Sequence, residues 1–405
     1  MVETRFNQKI PFYIFLATIS SFLISIFLFQ IFAVLLIVFW LFEKHQNKIA
    51  AFDKISLLFL IFIFVRISSV IFSEFPDSSI HLFYKDAIFF LSFFAMVFYL
   101  KVFDEKKFKF IAFTFIIAAM FVALIGIVKF NLGISHRAKS FSSGFMAYSM
   151  YLLAALGFGV LLYNFISKKK YVITWTAGIG LIISGIMLSL GRTNIVLAIL
   201  AFFVSFFFLK INKWFSIGIV ILTITISVIS FQINTQEISS RIKQPSIMSD
   251  RDILWGNAKE LFLKFEHPLL GYGPRSFDKI FLERDRLADI KVGSWHNDYI
   301  QLYLETGILG LFSYLILVGY SLFIALEYIN KRKANQVEKF LLIGLIISTM
   351  SLMFAAVTSG FISSPVISVV LAFFLAFISS IVYPVREITR SSTDDEKGIR
   401  LDASI

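Results

Sequence analysis

The chain is a succession of apolar runs, each close to the ~20 residues a helix needs to cross the ~30 Å hydrocarbon core of a bilayer, with basic clusters between them. Such runs leave few structural choices, because in lipid every backbone N–H and C=O must be satisfied within the protein, and an α-helix satisfies them within the segment itself. The first run, Pro11 to Phe42, is too long for one untilted helix and reads as two. Ile55 to Phe72, Ala87 to Phe103, Phe108 to Phe130, Phe145 to Ile166, Tyr171 to Leu190, Thr193 to Leu209 and Trp214 to Phe231 follow. After a polar insert come Ile300 to Leu326, Phe340 to Thr358 and Phe361 to Tyr383. The expectation is an all-α integral membrane protein with about 12 transmembrane helices. Composition agrees: of 405 residues, 58% are hydrophobic and 16% charged. A soluble domain carries about 25% charged residues, so polar material is too scarce here to cover a globule.

The chain has no cysteine, which excludes thiol catalysis, Cys-ligated zinc and iron–sulfur clusters. The formal charge of +12 could suggest nucleic acid, but the basic residues come in short clusters between apolar runs, which is how bilayer-oriented proteins use Lys and Arg. No nucleic-acid partner is expected. With the N-terminus inside, the cytoplasmic face receives Lys44, Lys48, Lys106, Lys107, Lys109, the Lys168-Lys169-Lys170 cluster, Lys331, Arg332, Lys333 and the tail basics. Both termini are then cytoplasmic. On the opposite side Lys85, Arg137, Lys139 and Arg192 stand as exceptions. The first run lacks a small-residue cleavage site and is expected to remain as an anchor.

This reading divides the chain into spans one to nine (1–231), a large outer loop (232–299), spans ten to twelve (300–384) and a cytoplasmic tail (385–405). Only the loop has a soluble composition, with ten Lys or Arg and ten Asp or Glu. Within it, Ile253, Leu254, Trp255, Ala258, Leu261, Phe262 and Phe265 recur near helical spacing. They predict an amphipathic helix over Ser249 to Phe265 lying near the membrane face, capped by Ser249 or Asp250. Pro268 and the turn Gly271-Tyr272-Gly273-Pro274 then break it.

Of five histidines, His296 has the most suggestive neighbours. It opens His296-Asn297-Asp298-Tyr299 at the mouth of a helix, with Glu305 and Gly307 in the first turns. On a continuous helix, His296, Tyr299 or Ile300, and Tyr303 would share one face and present an imidazole and phenols to a cavity. A neutral imidazole can accept a proton near neutral pH, as a general base must. The alternative is a helix-capping polar cluster. Arg192 sits in Leu190-Gly191-Arg192-Thr193-Asn194, where it either ends a tight outer turn or is buried at membrane depth. With Arg251 and Arg137 it would supply outer-face cations for an anionic ligand, and guanidinium forks match phosphate oxygens. Interfacial snorkelling for Arg137, a surface salt bridge for Arg251 and a structural ion pair for Arg192 are the competing readings. Arg66, deep in span three, is either functional or paired with a neighbouring helix. No His-x-x-x-His, His-Glu or Asp-x-Asp pattern lies on the outer side, so no metal is expected. No phosphate-binding Gly-x-x-x-x-Gly-Lys loop occurs either, which argues against ATP-driven transport by this chain alone.

The run from Trp295 through His296-Asn297-Asp298-Tyr299 to Glu305-Thr306-Gly307-Ile308-Leu309-Gly310 resembles the signature of the O-antigen ligase and polymerase superfamily of bacterial membrane glycosyltransferases. Gly191-Arg192-Thr193, Arg251-x-x-x-Trp255-x-x-Ala258 and Pro268-Leu269-Leu270-Gly271-Tyr272-Gly273-x-x-x-Phe277 resemble further pieces of that family, in the same order. The resemblance implies a GT-C-type fold in the bacterial inner membrane, with the site facing the periplasm. It also implies metal-independent, inverting transfer of glycan from undecaprenyl pyrophosphate, with no cofactor. Carried over, His296 is the base, and Arg192 and Arg251 stabilise the leaving group. Asn297, Asp298, Tyr299 and Glu305 are supporting positions, and Arg137 is a looser match. The expected partners are the lipid-linked donor, a lipid A core oligosaccharide acceptor and membrane lipids. O-antigen ligase is the leading expectation and O-antigen polymerase the enzyme alternative. A lipid-linked-sugar transporter or a protein O-glycosylating relative are the other readings. Transport would call for two related halves with broken helices, and no internal symmetry is evident.

Overall fold

The computed structural model describes residues 8–81, 83–208, 213–235, 239, 251–264, 266–281, 293–331 and 333–384, and among these every regular element is a helix. They are α1 (Lys9–Ser21), α2 (Ile26–Leu41), α3 (His45–Ala51), α4 (Lys54–Ile71), α5 (Pro76–His81), α6 (Phe83–Val102), α7 (Glu105–Asn131) and α8 (Phe145–Leu162). There follow α9 (Lys169–Leu188), α10 (Arg192–Phe207), α11 (Lys213–Ile233), α12 (Arg251–Lys264), α13 (Phe277–Ile280), α14 (Asp298–Asn330), α15 (Gln336–Ala356) and α16 (Ile367–Val382).

The long helices fall on the apolar runs, and the protein is a membrane protein. Among the described residues seven helices are long and apolar enough to cross a bilayer, or eight if α2 and α3, bent by 111°, form one broken span. This is fewer than the twelve crossings expected. Part of the difference is length: α1, α10 and α16 are apolar but have only 13, 16 and 16 residues. At 1.5 Å per residue they fall short of the hydrocarbon thickness unless neighbouring turns extend them.

Polar residues set the helix ends. Ser25 accepts from the Leu28 N–H and starts α2, so the first apolar run is two helices. Asp53, Asp104 and Asn335 cap α4, α7 and α15 likewise, the last in a reciprocal capping box with Glu338. The last run behaves differently from the expectation. Its helix starts at Ile367 rather than Phe361, because the Ser363-Ser364-Pro365 stretch keeps the chain irregular ahead of it.

Helix α16 is apolar except for Ser368, Ser379 and Ser380 and is buried all round, as a helix at the centre of a bundle must be. Phe rings wrap it: Phe373 meets Phe15 and Phe115 at 6.1 and 5.4 Å, and Phe377 meets Phe108 and Phe158 at 5.4 and 6.0 Å. These tilted and edge-to-face contacts give many of the chain's 51 phenylalanines a packing role.

Helix α14 is interrupted at Gly307 (φ 64°, ψ −168°). The break frees backbone groups, and the 268–273 turn satisfies them. Tyr272 N–H donates to Leu304 O (2.8 Å), Gly273 N–H to Glu305 O (3.0 Å) and Ile308 N–H to Pro268 O (2.8 Å). A Cβ on Gly307 would lie well inside van der Waals contact of the Leu269 carbonyl, and one on Gly271 would strike the Leu304–Glu305 backbone. Beside this joint lies a buried ion cluster. Arg66 of α4 pairs with Asp86 of α6 at 2.7 Å and with Glu305 of α14 at 3.5 Å, and Arg275 pairs with Asp86 at 3.1 Å. Of the two readings of Arg66, pairing with neighbouring helices is the one observed.

Two glycines test this joint. Gly307→Ala forces an L residue into a backbone region open essentially to glycine alone, at about 1–3 kcal/mol, and pushes the 268–273 turn away, so the melting temperature in detergent should fall. Gly256→Ala in α12 meets nothing within 4 Å and should raise it slightly, since Ala is favoured over Gly in a helix by up to about 1 kcal/mol. Equal melting temperatures for the two variants would contradict the docking described.

Candidate active site

A tight connection brings the end of α9 and the start of α10 together at one end of the bundle. Leu190 takes a positive φ of 56°, and the resulting turn lets α10 start immediately after α9. Arg192, the first residue of α10, is exposed, so the tight-turn alternative is the one observed. The N-cap of α10 is Gly191 and that of α8 is Gly144, and neither offers a side chain to the first-turn N–H groups. The N-terminal ends of both helices thus keep their partial positive charge available.

Between these ends lies a small cleft of about 70 Å³ lined by Arg137, Arg192 and Arg251, with Phe145, Ser149, Thr193, Asn194 and Ser359 among its other walls. The three arginines come from positions far apart in sequence. Arg137 stands over the Phe145 ring at 4.1 Å, a cation–π contact that orients its guanidinium. Arg251 is the first residue of α12. That helix is held by Leu254, Ala258 and Leu261, which pack in a second apolar cluster with Tyr272, Phe277, Phe281, Trp295 and Leu304. A helix thus spans Arg251–Lys264, inside the Ser249 to Phe265 stretch expected to form one, and its buried side chains are covered by other parts of the protein. Its proposed caps Ser249 and Asp250, and Phe265, lie outside the described residues. Three guanidiniums and two helix N-termini around one cavity are groups whose chemistry suits a multiply charged anion.

His296 stands next to this cleft. Trp295 is fully buried, edge-on to Phe277 and Phe281 at 4.9 and 5.8 Å, and its carbonyl accepts from the Trp255 indole of α12 at 3.2 Å. His296 itself adopts φ 49°, a left-handed conformation uncommon outside glycine. Helix α14 starts only at Asp298, so His296 precedes the helix. The expected shared face of His296, Tyr299 and Tyr303 does not form: Tyr299 donates its hydroxyl to Met353 O at 2.8 Å, and Tyr303 packs on Phe262. The imidazole Nδ1 lies 3.5 Å from the Ser294 hydroxyl. Burial, and after it the Arg251 cation, lower the His296 pKa to about 4. The ring is neutral at neutral pH, the state in which it can accept a proton.

The other motif residues hold this turn in place. The Asn297 side-chain oxygen Oδ1 caps α14, accepting from Tyr299 and Ile300 N–H at 3.0 and 3.1 Å. Asp298 is fully buried and accepts from Phe361 N–H at 2.9 Å and Ile362 N–H at 3.0 Å. Glu305 is fully buried, shared between Arg66 and Gln301. Gln301 and Arg275 in turn bind the hydroxyl and carbonyl of Ser363, at 2.9 and 3.0 Å. The irregular 357–366 segment is thus clamped by Asp298, Gln301 and Arg275, and the same segment contributes Ser359 to the arginine cleft. Reading the sequence alone missed Ser149, Asn194, Ser359 and Arg275. Asn194 stands two residues from Arg192 and could have been noticed, whereas Ser359 lies at the edge of an apolar run and carries no local signal.

No three His, Asp or Glu side chains converge as a metal-ligand set among the described residues. A comparison with curated proteins finds no match. A family model described as O-Antigen ligase matches residues 177–315, a stretch that contains Arg192, Arg251 and His296 but not Arg137. That match, together with the helical membrane architecture, supports placing the chain in the O-antigen ligase and polymerase superfamily.

Proposed function

We propose that the protein is an O-antigen ligase, moving polysaccharide from undecaprenyl pyrophosphate to the lipid A core oligosaccharide at the periplasmic face of the inner membrane. The observation that carries the reading is the convergence of Arg137, Arg192 and Arg251 on one cleft with a neutral imidazole beside Arg251. A glycosyl pyrophosphate needs both: cations where leaving-group charge develops, and a base for the incoming hydroxyl.

In this reading His296 takes the proton from an acceptor sugar hydroxyl as its oxygen attacks the anomeric carbon of the donor. The anomeric C–O bond to the pyrophosphate breaks, its electron pair leaves with the pyrophosphate, and attack from the opposite side inverts the configuration. Arg192 and Arg251 receive the growing negative charge, and Arg137 lines the same cleft. Donor binding also prepares the base. With Arg251 neutralised by phosphate, one of the two causes that depress His296 is removed, and the bound anion favours the imidazolium formed in the reaction.

The reaction should be visible when purified protein is mixed with undecaprenyl-pyrophosphate glycan and rough lipopolysaccharide, with chelator present. A shifted lipopolysaccharide band is expected, and His296→Ala should remove it, lowering the rate by 10²-fold or more while donor binding persists. Longer lipid-linked glycan without that band would identify a polymerase instead, with the same site. Full activity of His296→Ala would reject His296 as the base.

The pH profile gives a second check. The acid limb of kcat/KM reports the free enzyme, and protonation of His296 removes the base, so that limb should lie near pH 4 rather than near the ordinary histidine value of about 6.5. The limb of kcat should lie higher, because bound donor raises the imidazole pKa. Arg251→Gln should move the kcat/KM limb upward. An acid limb unmoved by that substitution would contradict the coupling of Arg251 to His296.

A further inference from the structure

We infer that Asn194 reads a hydrogen-bond donor, a hydroxyl or amide N–H, on the sugar carbon next to the anomeric carbon of a glycosyl pyrophosphate bound in the arginine cleft. The inference rests on the glycosyl-pyrophosphate reading above and names the substrate feature that site selects.

Asn194 is the third residue of α10, is 3 % exposed, and lines the cleft together with Ser149. Its amide Nδ2 donates to Ser149 Oγ at 2.7 Å, and Ser149 Oγ donates to Met146 O at 3.0 Å. The serine proton is committed to Met146, so the amide nitrogen faces Ser149 and the carbonyl oxygen is turned away from it. That oxygen, Oδ1, is buried and has no hydrogen-bond partner. A buried acceptor left unpaired is unusual in a folded protein, and in a ligand cleft it points to the group that arrives with the ligand.

The chemistry of the surroundings narrows that group. Arginines and helix N-termini present positive charge and suit phosphate oxygens, which are acceptors and would repel a carbonyl oxygen. The ligand must therefore carry an O–H or N–H close to its anion. In a glycosyl pyrophosphate the donor nearest the phosphate is the substituent on the carbon adjoining the anomeric one. The cleft thus distinguishes a sugar with a free hydroxyl or acylamino group at that position from its deoxy counterpart. A site with a buried acceptor rejects a ligand that lacks the matching donor more strongly than an apolar wall does.

The test is a double-substitution cycle read in binding, with full-length protein in detergent. The probes are farnesyl pyrophosphate, farnesyl-pyrophosphoryl glucose and farnesyl-pyrophosphoryl 2-deoxyglucose, each titrated against the wild-type chain and Asn194→Ala. The wild type should bind the glucose probe about tenfold more tightly than the 2-deoxy probe. Asn194→Ala should bind the two equally, with the affinity for farnesyl pyrophosphate unchanged, which shows that the fold and the arginines are intact. Equal discrimination by both proteins, or none by the wild type, would overturn the inference and leave the orphan oxygen to an ordered water. Failure of the wild type to bind farnesyl pyrophosphate at all would instead remove the underlying anion reading. Asn194→Asp, which keeps the acceptor, should retain the preference for glucose even if the added negative charge weakens binding of every probe.

Discussion

The buried ion cluster of Arg66, Asp86, Arg275 and Glu305 is the interaction on which the end of the molecule carrying the arginine cleft depends. Two guanidiniums and two carboxylates, withdrawn from water, balance in charge and join α4, α6, the 266–281 segment and α14. Such a cluster gives little net stability over an apolar substitute, but loss of one member leaves an uncompensated buried charge and costs about 3–5 kcal/mol. Its value here is in fixing one arrangement. Ser69 adds to the same joint, its hydroxyl lying within hydrogen-bond distance of the Leu270 and Glu305 carbonyls. The broken helix at Gly307 can exist because the 268–273 turn completes its backbone bonding, and that turn is held where the charges are. From this joint Gln301, Arg275 and Asp298 reach the 357–366 segment, and through it the wall of the arginine cleft.

The arginine cleft and the His296 imidazole form an electrostatic unit. The N-terminal ends of α8 and α10 and three arginines line the cleft, and the Arg251 cation adds to burial in holding the His296 imidazole neutral. A base with a low resting pKa is a weak base, so the arrangement works only if the anion that fills the cleft also strengthens it. In the proposed reaction the donor does both, and proton abstraction is favoured only when the leaving group is in place.

Much of this was legible in the sequence. Apolar run lengths located the helices, since lipid permits little else, and the order of the Arg192, Arg251 and His296 motifs pointed to a shared site. What local pattern could not supply was partnership across the fold. Arg66 read as a costly intramembrane charge until Asp86 and Glu305, 20 and 239 residues away, were seen to pair with it. Asp298 and Glu305 stand in a motif beside His296 and read as supporting positions, but what they support was not legible: their carboxylates are occupied by backbone N–H groups and by Arg66 and Gln301. The helical periodicity from His296 onward misled because the Asn297 cap starts the helix after the histidine, not before it. Phe361 read as the start of a helix because its apolar neighbours continue the run, while Pro365 and the demand of Asp298 for two N–H donors keep the chain open there.

The most direct measurement of the central claim is a cryo-EM structure of the His296→Ala protein with bound undecaprenyl-pyrophosphate glycan. The account predicts phosphate oxygens within hydrogen-bond distance, about 2.7–2.9 Å, of both Arg192 and Arg251, with the anomeric carbon on the side of the vacated imidazole. A pyrophosphate bound elsewhere, with the arginine cleft still closed around protein groups alone, would contradict it.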